Sequence, residues 1–141
     1  MATPARKDAI DPAPGDYPLR ATAFTPAVID LLGGQNQPAL FELLGQPDGM
    51  PWRAWVEMSP ETARALNVEQ GTWVKVSSPH GTIEAAAVLA EGAAPDCVAI
   101  AHVPFLPGGG RWARTPDTDV RRLWPRGLSA LGTVPAKITR G

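Results

Sequence analysis

The stretch Ser59–Ala90, SPETARALNVEQGTWVKVSSPHGTIEAAAVLA, constrains the fold of this chain more than any other. Ser59 is a good helix N-cap, Pro60 suits the first helical position, and Glu61 places its charge where the helix dipole favours it. Ala63, Leu66 and Val68 give that short helix one apolar face, and Gly71 ends the unit. The period then changes to two. Trp73 and Lys75 point one way and Val74 and Val76 the other, the mark of a half-buried strand. Pro79, His80 and Gly81 make a turn, and Thr82–Ala90 is a return strand, so the two form a β-hairpin.

Shorter signals flank this core. Trp52–Met58, WRAWVEM, reads as a strand rich in aromatics. Cys97–Val103, CVAIAHV, is a near-continuous apolar run that suggests a strand buried on both faces. Gly132–Gly141, GTVPAKITRG, supplies a last strand with Val134, Ala136 and Ile138 on one face. From Ala21 a strand-like start is limited by Pro26. Gly33-Gly34 marks a turn, Asn36 a turn or cap, and Pro38 the start of a short helix ending at Gly45. Asp117–Trp124, DTDVRRLW, is a short helix or irregular. Several short strands with little helix predict a mainly β protein with short helices, closed into a barrel.

At 141 residues the chain suits one domain with a single core. The first twenty residues carry four prolines and several charges and read as an extended arm, leaving 21–141 for the barrel. A net charge of −1 argues against a general nucleic-acid binder. The charge is uneven, though: Arg111, Arg114, Arg121, Arg122 and Arg126 fall in one segment with only Asp117 and Asp119 against them. That segment suits a discrete anionic ligand or an acidic partner, and equally a solvated charged surface. Cys97 is the only cysteine, so the chain has no internal disulfide and no thiolate set for a zinc or iron–sulfur site of its own. Its apolar surroundings read as those of a small buried hydrophobe. No segment is long and apolar enough to span a membrane, and the N-terminus has no apolar signal core, which makes the cytoplasm the default compartment.

The residues that draw attention for chemistry lie in Phe105–Trp112, FLPGGGRW. Gly108, Gly109 and Gly110 let backbone N–H groups approach an anion closely, and Arg111 adds a fork of donors suited to phosphate. The same run also suits a plain loop tip. His102, at the exit of the preceding strand, is a candidate hydrogen-bonding partner for such a ligand or a satisfied core histidine. Trp52, Trp55, Trp73 and Trp112 fit core or interface positions, and His80 carries no assigned chemistry. No nucleophile and base assemble in the sequence, so the chain is not expected to be catalytic alone.

Trp55–His102 resembles one family in particular. The pattern of hydrophobic strand, polar-Pro helix start, G-x-x-V-x-V-x-S and a G-x-I return strand is similar to the molybdopterin-dinucleotide-binding domain of the dimethyl sulfoxide reductase superfamily of molybdenum and tungsten oxidoreductases. Upstream, GGQNQPALFELL and WRAWVEM resemble the segment leading into that domain in the polysulfide-reductase-like branch, so the likeness covers roughly Gly33–Ile138. The resemblance implies a double-psi β-barrel. It implies molybdopterin guanine dinucleotide as cofactor, with molybdenum or tungsten carried mainly by other domains. By its own Met1 and its end at Gly141, the barrel is expected to be a small subunit. It would compare with the separate small subunit of some formylmethanofuran dehydrogenases. It would complete the cofactor site of a formate- or polysulfide-dehydrogenase-like enzyme whose large catalytic subunit carries an iron–sulfur cluster. Co-export to the periplasm with a signal-bearing partner is the alternative compartment. By the same likeness, Gly108, Gly109, Gly110 and Arg111 fall where relatives approach the pyrophosphate and His102 at the strand exit. Gln35 and Asn36 fall where relatives carry a cofactor-facing amide or, read locally, an ordinary turn and cap. The family's G-x-N is replaced near Asp117 and Asp119; Asp119 can accept from a guanine or pterin amine but repels phosphate. The alternative function is a structural subunit with a degenerate cofactor site. An independent barrel enzyme of the aspartate decarboxylase kind would need a Gly-Ser processing site, and no such dipeptide occurs.

Overall fold

A computed structural model of the chain describes residues 15–26, 54–102, 119–126 and 132–141. Six strands among them close into a barrel: β1 (Leu19–Phe24), β2 (Trp55–Met58), β3 (Trp73–Ser78), β4 (Gly81–Leu89), β5 (Cys97–Ala101) and β6 (Val134–Arg140). One α-helix, α1 (Pro60–Ala65), and one 3-10 helix (Val120–Leu123) accompany them. Around the barrel the order is β1-β5-β2-β4-β3-β6, with β6 returning to β1. The mainly β barrel that the periodicity predicts is therefore the observed architecture. Two neighbouring pairs run parallel, β1 with β5 and β2 with β4, and the remaining four pairs are antiparallel.

Closure leaves no free sheet edge and gives the strands one shared interior. Met58, Val56, Val74, Val76, Ile83, Val98, Ile100 and Val134 are essentially inaccessible there. β3 follows its sequence pattern: Val74 and Val76 are buried, Lys75 is exposed and Trp73 is half-covered. In β6 the expected face, Val134, Ala136 and Ile138, is the buried one. β5 departs from expectation. Val98 and Ile100 are buried while Cys97 and Ala99 are half-buried, so the strand alternates instead of burying both faces. The strand has two neighbours, β1 and β2, but its outer face at residues 97 and 99 keeps contact with solvent. The Cys97 thiol is accordingly not a core group. Burial, followed by the Asp96 carboxylate as charge and hydrogen-bond partner, pushes it up, and Arg20 opposes. β1 begins at Leu19, two residues inside the segment read as an arm, because Leu19 is buried and pairs with Ala136.

The stretch that most constrained the fold forms as a unit. Ser59 Oγ accepts from Thr62 N at 3.0 Å, as an N-cap should. The helix stops earlier than its glycine suggests. Asn67 takes φ 55°, its N–H donates to Arg64 O (3.1 Å), and Val68 N–H donates to Ala63 O (2.8 Å). That pair of bonds is a Schellman motif with asparagine in the left-handed position, and buried Val68 and Ala63 supply its apolar contact. Gly71, at φ 77°, instead turns the chain into β3, its N–H donating to Ala87 O at 2.8 Å. The helix is tied to the β4–β5 connection through Thr62 Oγ1, which donates to Pro95 O.

Candidate functional site

The β3–β4 hairpin turns over two residues, Pro79 and His80, between the paired Ser78 and Gly81. Its tip leans on the 3-10 helix 40 residues later. Buried Ser78 Oγ donates to Leu123 O at 2.7 Å and accepts from His80 N at 3.1 Å, so one hydroxyl holds both pieces. Gly81 allows the approach: a Cβ there would lie 2.5 Å from Arg122 O, closer than real side chains come. Leu123 and Trp124 are buried beneath the helix, and Trp124 Nε1 donates to Gly132 O at 2.7 Å. The 3-10 helix thus has a buried underside and an arginine-bearing outer side.

Between hairpin tip and helix lies an open cleft of about 590 Å³ lined by His80, Gly81, Thr82, Asp119, Arg121, Arg122, Trp124 and Arg126. Asp119 caps the 3-10 helix, its Oδ1 accepting from Arg121 N at 3.2 Å. It also receives Arg121 in a two-bond fork, Nε to Oδ1 at 2.9 Å and Nη2 to Oδ2 at 3.0 Å. That bonding holds the Asp119 carboxyl below its usual range, with the Arg121 side chain the main cause and burial opposing it. The same bond raises the Arg121 guanidinium further above its already high value.

His102 follows β5 directly and extends its ladder, its N–H donating to Phe24 O at 2.7 Å. Its imidazole is half-buried. Burial, then the nearby Arg121 cation, lowers its pKa, while Asp119 pulls the other way. The barrel therefore brings two of the sequence-nominated residues, His102 and Asp119, into one electrostatic neighbourhood together with Arg121. Gln35, Asn36, Gly108, Gly109, Gly110 and Arg111 lie outside the described residues. The glycine run therefore gains no geometry here. His80 and Thr82, passed over in the sequence, reach the cleft, as do Arg121, Arg122 and Arg126 of the arginine-rich segment. That segment's charge was visible from its composition. Its hairpin partner was not, because the Ser78–Leu123 bond spans 45 residues.

The donors assembled here are forked cations, an imidazole and a hydroxyl around a concave surface. They can hold a phosphate-bearing ligand, and the single carboxylate can accept from an amine. They thus fit the phosphate portion of a dinucleotide. Among the described residues no helix is long and apolar enough to cross a membrane.

Comparison with known proteins points the same way. The family model described as "Molydopterin dinucleotide binding domain" matches residues 44–119, just over half of the chain, from before β2 to the Asp119 cap. Among solved structures, acetylene hydratase from Pelobacter acetylenicus is similar at a TM-score of 0.62 and 18% identity, over 89% of this chain and 18% of that one. The chain thus spans less than a fifth of that protein's length. Two expansin structures from Clavibacter michiganensis are similar at TM-scores of 0.47 and 0.46 and identities of 18% and 17%. They match over 89% and 87% of this chain and 50% and 48% of those chains. No curated protein sequence matches the chain.

Proposed function

Because the chain belongs to the molybdopterin dinucleotide binding domain family, we propose that it completes, as a small subunit, the molybdopterin guanine dinucleotide site of a larger molybdenum or tungsten oxidoreductase of formate- or polysulfide-dehydrogenase type. The observation that carries this reading is the match over residues 44–119, which takes in β2 to β5, the strand exit at His102 and the Asp119 cap. The family's cofactor is a molybdopterin dinucleotide. When bound, it supplies the metal centre at which the substrate is transformed.

This chain's own part is to bind and orient. The barrel fixes the β5 exit through the Phe24–His102 bond, and the capped 3-10 helix fixes Asp119 and Arg121, whose charges reach His102. Ile100 and Ala101, the last residues of β5 before His102, are fully buried. Burial keeps His102 neutral at pH 7, so one ring nitrogen can accept and the other donate to a pterin or nucleotide edge. The matched fold amounts to 18% of acetylene hydratase, which supports a division of labour in which other protein segments hold most of the cofactor. In this reading those segments belong to a large catalytic partner chain with an iron–sulfur cluster.

The test is purification of the native complex, followed by metal analysis and nucleotide release on acid hydrolysis. Stoichiometric molybdenum or tungsten with released guanine nucleotide, in a complex containing a large second chain, is the expected result. A complex with neither metal nor pterin overturns the reading in favour of a structural subunit.

A further inference from the structure

Three strands meet on the outer face of the barrel where β5 gives way to His102. Val56 and Met58 of β2 are fully buried, so Trp55 and Glu57 point to the opposite face. Phe24 lies opposite Ala101 in the parallel β1–β5 ladder. Val56 lies opposite Ile100 in the antiparallel β2–β5 ladder, whose continuation sets Trp55 beside Ala101. Ala101 thus stands between Phe24 and Trp55. Neighbouring strands are ~4.8 Å apart, so β1 and β2 flank β5 at roughly 10 Å and meet across it only over a small residue. The two rings do meet there, with centroids 6.1 Å apart and planes at 74°, the edge-to-face arrangement that aromatic pairs favour.

The indole is fixed from its other end. Trp55 Nε1 donates to Glu57 Oε1 at 3.1 Å along the same face of β2. Trp55 is buried and Glu57 half-buried, so the bond is partly shielded from water, and its acceptor is a carboxylate. Packing does not account for that carboxylate. The ladder partners of Glu57 are Ala99 and Val88, beside which a valine or threonine would suit a strand better. On the backbone side, Phe24 O accepts from His102 N at 2.7 Å, the bond that carries the ladder past β5. Three links therefore run from Glu57 to His102: a hydrogen bond to the indole, a ring contact, and a backbone hydrogen bond.

We infer that Glu57, acting through Trp55 and Phe24, is a positioning residue for His102: it fixes the indole against the Phe24 ring and so holds the carbonyl that sets where β5 releases the imidazole. Among the described residues, the charges that act on the imidazole are those of Arg121 and Asp119, both from the 3-10 helix. Glu57 thus reaches His102 by geometry and not by its field. The use of His102 at a cofactor edge rests on the function proposed above, whereas its placement by Glu57 stands without it.

The experiment is carbon–proton NMR of the two histidine rings in the full chain, titrated from pH 8 to 5. It compares the wild type with Glu57→Ala, Glu57→Gln, Trp55→Phe and the double variant Glu57→Ala/Trp55→Phe. His80, at the hairpin tip, is the internal reference. Burial is the main cause that lowers the His102 pKa, and a looser strand exit exposes the ring. Glu57→Ala should therefore move the His102 ring resonances and raise its titration midpoint toward the ordinary histidine value, while His80 stays in place. Trp55→Phe keeps a ring but loses the N–H, and should do the same. The double variant should go no further than one single variant, as expected of links in series. Glu57→Gln keeps an acceptor for the indole and should match the wild type. The inference is overturned if Glu57→Ala lowers the urea midpoint but leaves His102 unmoved, the mark of a merely structural bond. It is overturned too if Glu57→Gln shifts His102 as far as Glu57→Ala, which marks a charge effect, or if the shifts of the double variant add. If Trp55→Phe does not fold, the two Glu57 variants decide. Metal and nucleotide content of the native complex reads the cofactor proposal separately, so either can fail without the other.

Discussion

The wall formed by β2, β4 and β5 and the rim formed by the hairpin tip and 3-10 helix are built on opposite terms. In the wall, stability comes from side chains with no polar atoms: Val56, Met58, Ile83, Ala85, Ala87, Val98 and Ile100 are buried and the backbone is satisfied by ladders on both sides. In the rim, Val120, Leu123 and Trp124 are buried, but the geometry depends on a few hydrogen bonds made by Ser78, Asp119 and Trp124. The wall spreads its stability over many contacts. The rim concentrates its shape in a few polar ones.

The largest break in that comparison comes from the wall. Ile100→Ala removes a fully buried side chain where β5 passes between β1 and β2. A loss of about 2–5 kcal/mol is expected, from transfer and cavity together, read as a lower urea midpoint. Amide resonances of residues 119–126 in the molecules still folded should move less than those of β5. A midpoint left unmoved, with the shifts concentrated in the 3-10 helix, would contradict the division of wall from rim.

Gly81→Ala comes next. Its new methyl would meet the Arg122 carbonyl at 2.5 Å, and a backbone atom has to move to make room. A cost of about 1–3 kcal/mol is expected, of the kind seen on overpacking. The signature that marks a rim residue is a change in the amide resonances of residues 119–126 larger than that of β2 or β5. Ser78→Ala follows, at about 1–2 kcal/mol, because it removes the donor to a buried Leu123 carbonyl and an acceptor for His80 N–H. Hydrogen exchange should rise at the hairpin tip and 3-10 helix and stay slow in β2 and β5.

The two regions also differ in how far the sequence discloses them. The capped helix and hairpin are written in local terms: Ser59 and Pro60 at the start, then a change of period to two at Trp73. Even there the helix ends at Asn67 and not at Gly71, because an asparagine can take the left-handed position that glycine usually fills. The order of strands was not legible, since parallel neighbours such as β1 and β5 are joined by a backbone ladder between distant segments, with Arg20 opposite Cys97. The rim was half legible. Clustered arginines marked a locally basic segment, while the contact that shapes their cleft depends on Ser78, a strand residue with no local sign of a distant partner. Asp119 was nominated as a ligand contact; its visible work is to cap the helix and hold Arg121.

The smallest effect concerns His102, which belongs to both regions, extending β5 on one side and sensing Arg121 and Asp119 on the other. Burial and the Arg121 cation set its folded pKa below the ordinary value of about 6.5, with Asp119 opposing. The unfolded chain therefore binds more protons between the two values. The stabilising contribution is complete above about pH 6.5 and is lost as pH falls through the lowered folded pKa. Because the ring is only half-buried, the loss should stay under about 1 kcal/mol. Urea midpoints measured from pH 7.5 to 5 should fall slightly for the wild type and less for His102→Asn. Asp119→Asn gives the sharper reading. It removes the carboxylate that favours the protonated ring while Arg121 remains, so the decline should steepen. An unchanged decline in that variant would mean that His102 does not sense Asp119, and that the strand exit and the arginine rim are electrically separate.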